Sequence, residues 1–178
     1  MIIRPERSED PAETAAVHAV VGAAFGGDRV PALLEAMRAD SCWRGLSFVA
    51  EEGGAVVGHV AFTRGWVDTS DFREVLVLSP MSVHPDAQHR GVGSALVREA
   101  LEALQGRPEP VVFLEGSPRY YLRFGFVPAE TLGFTSPSRF IPQPAFQALP
   151  LPSYAPGLTG ALVYPDVFWR YGAVGLRD

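Results

Sequence analysis

Gln88-His89-Arg90-Gly91-Val92-Gly93-Ser94 is the stretch of this 178-residue chain whose residue types and spacing suit chemistry. It lies between an apolar, β-branched run and a run with helical periodicity. The first turn of a helix leaves about four backbone N–H groups without partners, and its dipole adds partial positive charge there. Gly91 and Gly93 would let an anion approach that backbone closely. The segment therefore predicts a pyrophosphate cradle that needs neither lysine nor metal, with Arg90 adding a charge-assisted bond. Two glycines alone favour a plainer reading, a tight strand-to-helix turn. A dinucleotide fingerprint fits worse, because Leu96 stands at its third glycine.

Composition removes other mechanisms. All 15 positive side chains are arginine, and there is no lysine and no asparagine. No side-chain amine can form a Schiff base, and no Walker-A loop can be built. One cysteine, Cys42, excludes an intramolecular disulfide and a multi-cysteine metal site, and no metal is expected. A net charge of −5 argues against a dedicated nucleic-acid partner. The missing lysine and asparagine, with only three isoleucines, imply a GC-rich bacterial gene, an expectation that a low-GC coding sequence would remove. No apolar run approaches the ~18–20 residues of a membrane span, and the N-terminus lacks a signal-peptide layout. No membrane association is expected, and the cytoplasm is the expected compartment. The length implies one domain, residues 1–178, burying roughly 70% of its extended-chain surface.

The elements that must position the cradle follow from pattern. Ile2–Arg4 predicts a strand. Asp10-Pro11 predicts an N-cap and first helical residue, with Ala15, Ala16, Ala19, Val20, Ala23 and Ala24 as the apolar face and Gly26-Gly27 as the stop. A second helix is predicted over Pro31–Ala39, with Leu33, Leu34 and Met37 inward. Ser47–Ala50 and Ala55–Phe62 read as strands joined by Glu51-Glu52-Gly53-Gly54. Gly65–Phe72 reads as a loop and Arg73–Val83 as a strand that Pro80 must bulge or splay. Gly93–Leu104 predicts a helix, Val111–Leu114 a buried strand, Ser117-Pro118 a capped short helix, and Phe124–Pro128 a strand. Residues 129–178 are proline-rich but carry many aromatics, which predicts an extended arm packed on the body, with a strand near Ala161–Tyr164.

Leu78-Ser79-Pro80-Met81-Ser82-Val83-His84-Pro85, continued by Gln88 to Leu96, resembles the acetyl-CoA signature of the GNAT N-acetyltransferase superfamily. Tyr120-Tyr121-Leu122-Arg123-Phe124-Gly125-Phe126 resembles that family's closing Tyr-x-x-x-Gly-Phe block, in the expected order and spacing. The segment from Ser117 and the tail Gly160–Pro165 are similar to the branch called YhbS-like. The resemblance implies an α/β (α+β) fold: a mixed, mostly antiparallel central sheet with a splayed or bulged strand, flanking helices and a C-terminal arm.

The resemblance also implies roles. The amides of Gln88, His89, Arg90, Gly91, Val92, Gly93 and Ser94 would hold the CoA pyrophosphate. Met81, Ser82 and Val83 would pair with the pantetheine arm, the Met81 N–H polarising the thioester carbonyl. Acetyl would pass directly to an amine of a small molecule or peptide. Tyr121 aligns with the family's acid, which protonates the leaving thiolate, and Tyr120 is the register alternative. Glu115 is either the base or a solvated strand-end carboxylate, with Glu74 and His84 as rivals. His84 is expected to shape its loop. His18, His59 and Cys42 are read as structural residues, Cys42 as a half-buried small hydrophobe. Many members place an asparagine where Leu114 stands, and Ser117 is the expected substitute contact. Arg119 and Arg123 meet the 3′-phosphate or solvent. The alternatives are a catalytically silent acyl-CoA sensor and an aminoacyl-tRNA acetylase, the latter needing a basic face. The apolar arm is expected to cover the acceptor groove or a homodimer interface.

Overall fold

Asp10 starts the first helix through its side chain. Its carboxylate accepts the Ala12 N–H at 2.9 Å, and Pro11 takes the first helical position. In this computed structural model, which describes residues 1–175, α1 runs Pro11–Phe25 and stops at Gly26 (φ 73°). The last three residues of the expected arm, 176–178, lie outside the described residues. The buried face of α1 differs from the expected one. Glu13, Val17, Val20 and Val21 are buried, whereas Ala15, Ala19 and Ala23 are exposed. An alanine-rich run has little amphipathic signal, so the bulkier valines decide which face goes inward.

The chain divides into two compact units, and β3 and β4 each contribute to both. The first unit comprises Met1–Thr63 and Ser79–Ala103. In it β1 (Ile2–Pro5) pairs antiparallel with β2 (Trp43–Glu52), and β2 with β3 (Ala55–Asp68). The turn between β2 and β3 is Gly53-Gly54, with φ of 58° and 83°, which suits the twist of a two-residue hairpin. α2 (Arg29–Arg38) packs on α1 and buries Leu33, Leu34 and Met37 as expected. β4 (Arg73–Val83) passes through Pro80 after a cis Ser79–Pro80 bond, and α3 (Val92–Glu102) packs against β1 and β2. Gly58 on β3 makes room for α3. A Cβ there would stand 2.8 Å from Leu96 Cδ1, and 3.2 Å from both Val92 Cγ1 and the Ser82 carbonyl oxygen.

Two arginine–carboxylate clusters tie this unit together. Arg4 forks onto Glu13 at 2.7 and 2.9 Å and also reaches Glu51 at 2.8 Å, while the Arg7 N–H donates to Glu13 at 2.6 Å. The Arg4 hydrogen bonds hold Glu13 down at about 2, against its burial. Deeper in, Glu6 accepts from Arg38 and from His59 Nε2, the latter at 3.1 Å. Burial pushes Glu6 up, but the His59 bond and its other donors bring it below the ordinary carboxylate value. Burial pushes His59 down, against its bond to Glu6, and its Nδ1 has no partner among the described residues.

The second unit comprises Arg64–Leu78 and the chain from Leu104. Its strands are the end of β3, the start of β4, β5 (Val111–Glu115), β6 (Val127–Pro128), β7 (Phe134–Thr135), β8 (Phe146–Pro150) and β9 (Gly160–Val163). Its short helices are α4 (Pro118–Tyr121) and α5 (Asp166–Arg170). β4 and β5 are parallel through Leu76↔Val112 and Val77↔Phe113, and β7 and β9 are also parallel. The other registers are antiparallel. β8 lies along β5 from Val111↔Pro150 to Glu115↔Phe146, and β6 adds to β8. Three expectations change here. The residues read as a loop from Gly65 remain strand to Asp68, because Trp66 and Val67 pair with β9. The strand expected over Phe124–Pro128 shrinks to two residues, since Leu122–Phe124 is a 3₁₀ turn closed by Gly125 (φ 90°). The arm supplies three strands, with Phe134 edge-on to Phe113 at 4.9 Å and Phe146 stacked on it at 5.6 Å.

Two outcomes follow. Gly58→Val forces its methyls into Leu96 and Val92 and destabilises by roughly 1–3 kcal/mol in urea unfolding. A variant as stable as the parent contradicts the close approach. Because Glu13 is held down, its contribution is present above about pH 4.5 and is lost as pH falls toward about 2. Glu13→Gln should therefore lose less stability than the parent between pH 7 and pH 3. Equal losses count against the cluster.

Candidate functional site

The expected cradle sits at the start of α3, in the first unit. The first helical bond runs from the Ala95 N–H to the Gly91 carbonyl at 3.0 Å, so the amides of Val92, Gly93 and Ser94 precede the ladder. Gly91 has φ 88°, and a Cβ built on it meets nothing within 4 Å, so the loop is open to close approach. His89 takes φ 60°, a strained setting for a non-glycine that no sequence signal announced. Gln88 departs from the expected set. Its amide donates to the Pro85 carbonyl at 3.2 Å and its side chain to the Val83 carbonyl at 3.0 Å, so it braces the loop. Arg90 is half-exposed and paired with Glu52 at 2.9 Å. On β4, Met81 and Val83 are half-buried, whereas the Ser82 hydroxyl is buried without a partner among the described residues.

His84 shapes the turn that leads into this loop. Its N–H donates to the Val57 carbonyl at 2.9 Å, and its Nδ1 accepts the Asp86 N–H at 3.3 Å. His18 lies 3.8 Å from Glu35 on the helical pair. Cys42 is fully buried, deeper than the half-buried setting expected of it. No cluster of three or more His, Cys, Asp or Glu able to hold a metal occurs among the described residues. No helix among them is long and apolar enough to cross a membrane.

The second unit carries the titratable candidates. Pro118 begins α4, but Ser117 makes no side-chain cap, so its exposed hydroxyl is not used as the capping reading expected. Tyr121 closes α4 with its ring over Gly116, where a Cβ would come within 2.4 Å of Tyr121 Cε2. Tyr120 and Phe126 meet that ring edge-on at 4.9 and 5.7 Å. Burial pushes the Tyr121 phenol well above its ordinary value, and the neighbouring Tyr120 adds to that. Tyr120 lies instead under the Arg123 guanidinium at 5.0 Å, and Arg123 also donates to the Arg119 carbonyl at 3.4 Å. Leu114 is buried.

Glu115 ends β5. It accepts the Tyr164 hydroxyl on Oε1 at 2.9 Å and the Gly175 N–H on Oε2 at 3.1 Å. Burial pushes its carboxyl up, and the two donors partly oppose that. Glu74 is half-exposed and lies 3.9 Å from Arg64. Sequence reasoning placed Tyr164 in the family-like tail Gly160–Pro165 without giving it a partner, and missed Gly175; each meets Glu115 only through the fold.

Known proteins share this architecture. An acetyltransferase (GNAT) domain model matches residues 43–128. The uncharacterized N-acetyltransferase YjhQ of Escherichia coli (strain K12) is 33% identical over 131 residues, 72% of each chain. The uncharacterized N-acetyltransferase YhbS of the same strain is 31% identical over 121 residues, 67% of this chain and 71% of its own. The crystal structure of Escherichia coli YhbS in complex with CoA superimposes with a TM-score of 0.86 at 28% identity, covering 98% of this chain and 95% of that one. A GNAT family acetyltransferase from Brucella melitensis in complex with acetyl-CoA gives a TM-score of 0.74 at 31% identity, covering 94% and 97%.

The buried phenol supplies a direct check. In an ultraviolet titration, the signal lost in Tyr121→Phe should ionise only well above pH 10, the ordinary phenol value. Ionisation at or below pH 10 contradicts the burial described.

Proposed function

The chain belongs to the GNAT acetyltransferase family, and from that premise we propose that it passes acetyl directly to a primary amine in a ternary complex. It is an N-acetyltransferase that uses acetyl-CoA. The observation that carries the finer reading is the first turn of α3, where three amides precede the helical ladder beside a glycine open to close approach. Such a row of N–H groups suits a pyrophosphate and needs no lysine.

In this reading the amides from His89 to Ser94 hold the pyrophosphate, while Gln88 keeps the loop in shape. The backbone of Met81, Ser82 and Val83 pairs with the pantetheine arm, and the Met81 N–H polarises the thioester carbonyl. When bound, acetyl-CoA supplies an electrophilic carbonyl carbon and a thiolate leaving group. Tyr121 gives its proton to that thiolate. Its high pKa keeps the phenol protonated at neutral pH, ready to donate. Glu115 takes a proton from the incoming ammonium, aided by the burial that raises its basicity. Leu114 stands where many members have asparagine, so the Ser117 hydroxyl contacts CoA in its place, and Arg123 meets the 3′-phosphate. The acceptor is a small amine or a peptide amine, and residues 1–178 act as one acetyltransferase domain.

A screen of CoA-thiol release against aliphatic amines, polyamines, aminoglycosides and peptides tests this. Tyr121→Phe should lower kcat roughly 10²-fold with acetyl-CoA affinity preserved in calorimetry. Unchanged turnover removes the acid role. Tight acetyl-CoA binding with no amine-dependent release favours a silent acyl-CoA sensor.

A further inference from the structure

Glu115 has both carboxylate oxygens engaged by segments far along the chain. Tyr164, directly after β9, donates to Oε1 at 2.9 Å, and Gly175, beyond α5, donates to Oε2 at 3.1 Å. All three residues belong to the second unit. Tyr164 is only 5% exposed, and its ring stacks on Phe168 at 4.9 Å and 15°. A ring packed this way fixes where its hydroxyl points. Burial and the neighbouring carboxylate raise the Tyr164 phenol well above its ordinary value, so it stays a donor across the working pH range.

We propose that Tyr164 and the Gly175 amide are positioning groups for Glu115, orienting its carboxylate and setting the pH above which it accepts a proton. The proposal rests on Glu115 as the base. Each oxygen takes one donor, which leaves lone pairs on both for an ammonium proton. A hydroxyl bonded to the ionised carboxylate favours that ionised form, and burial opposes it. Across β5, the partner of Glu115 on β8 is Phe146, which carries no charge. Of the groups that β8, the residue after β9 and the segment after α5 bring against Glu115, Tyr164 is the one that titrates, among the described residues. Removing its hydroxyl therefore raises the pH needed to ionise Glu115.

The test uses Tyr164→Phe in the full chain, which keeps the ring and its stack. The acid limb of kcat/KM, read with acetyl-CoA and the fastest amine of the screen, should move to higher pH. Rates below the limb should fall several-fold, while the high-pH plateau drops less than in Glu115→Gln. Carbon-13 NMR of the Glu115 carboxyl, assigned by its loss in Glu115→Gln, should show the same upward movement with no acceptor present. Placing 3-fluorotyrosine at 164 alone gives a nearly isosteric, stronger donor, and should move both readouts to lower pH. This second variant decides the matter should Tyr164→Phe not fold. Unmoved NMR midpoints in the folded variants overturn the proposal. So does an unmoved acid limb where Glu115→Gln is inactive. Full turnover in Glu115→Gln with a shifted NMR midpoint in Tyr164→Phe sinks the base assignment instead.

Discussion

A strand has two edges of backbone donors and acceptors, and a buried one must satisfy both. β5 is such a strand. On one edge its parallel register with β4 passes through Val112 and Phe113, and on the other β8 matches it residue for residue. Each buried backbone group left unpaired would cost about 1–3 kcal/mol, so that second edge compels the chain to return. The rest of the second unit follows. Once β8 is in place, Phe146 stacks on Phe113, β6 pairs with β8, and Gln147 donates to the Gly116 carbonyl at 2.9 Å. The chain that continues from there brings Tyr164 and Gly175 to the end of β5.

A chain without lysine has to assign its positive charge differently. Arginine carries it in part-buried pairs: Arg4 forked onto Glu13 and reaching Glu51, Arg38 with Glu6, Arg107 forked onto Glu109 at 2.6 and 2.9 Å. The planar guanidinium suits such bidentate contacts and is weakly hydrated, which eases its burial. These arginines are thereby committed to structure. The loop before α3 offers backbone amides that precede the helical ladder, and even Arg90 there leans on Glu52. Backbone donors cost no side-chain entropy when they meet an anion, and they cannot be neutralised by acetylation.

What was legible in the sequence tracks how local its cause is. Asp10-Pro11, the Gly53-Gly54 turn, the period of α3 and the two motif blocks each depend on neighbours a few residues apart, and each is where pattern placed it. α1 was found with the wrong face, because alanine barely distinguishes inside from outside. β8 was hidden inside a proline-rich stretch, and nothing within five residues shows that its partner is β5, some 35 positions earlier. β6 and β7 are two residues long, below the reach of any periodicity. The same limit applied to the site. Gly91 and Tyr121 could be named with their roles from their motifs, whereas the quoted tail around Tyr164 gives no sign that its hydroxyl bonds a carboxylate 49 positions away. The Glu6–His59 pair, 53 positions apart, was invisible for the same reason.

The return of the chain onto β5 also orders events in time. The first unit ends at Ala103, so its strands and helices are all available early in synthesis. The second unit needs β8 against β5 and β9 against the end of β3, a pairing that joins Trp66 to Val163. Contacts of such sequence separation close late, because loop entropy is spent before they form. Until residues 146–150 have left the ribosome, Val111–Leu114 presents an unpaired, strongly apolar edge, and Trp66 does so until residue 163. A growing chain in that state is exposed to association with other chains, which makes the pace at which β8 and β9 follow β5 a determinant of yield.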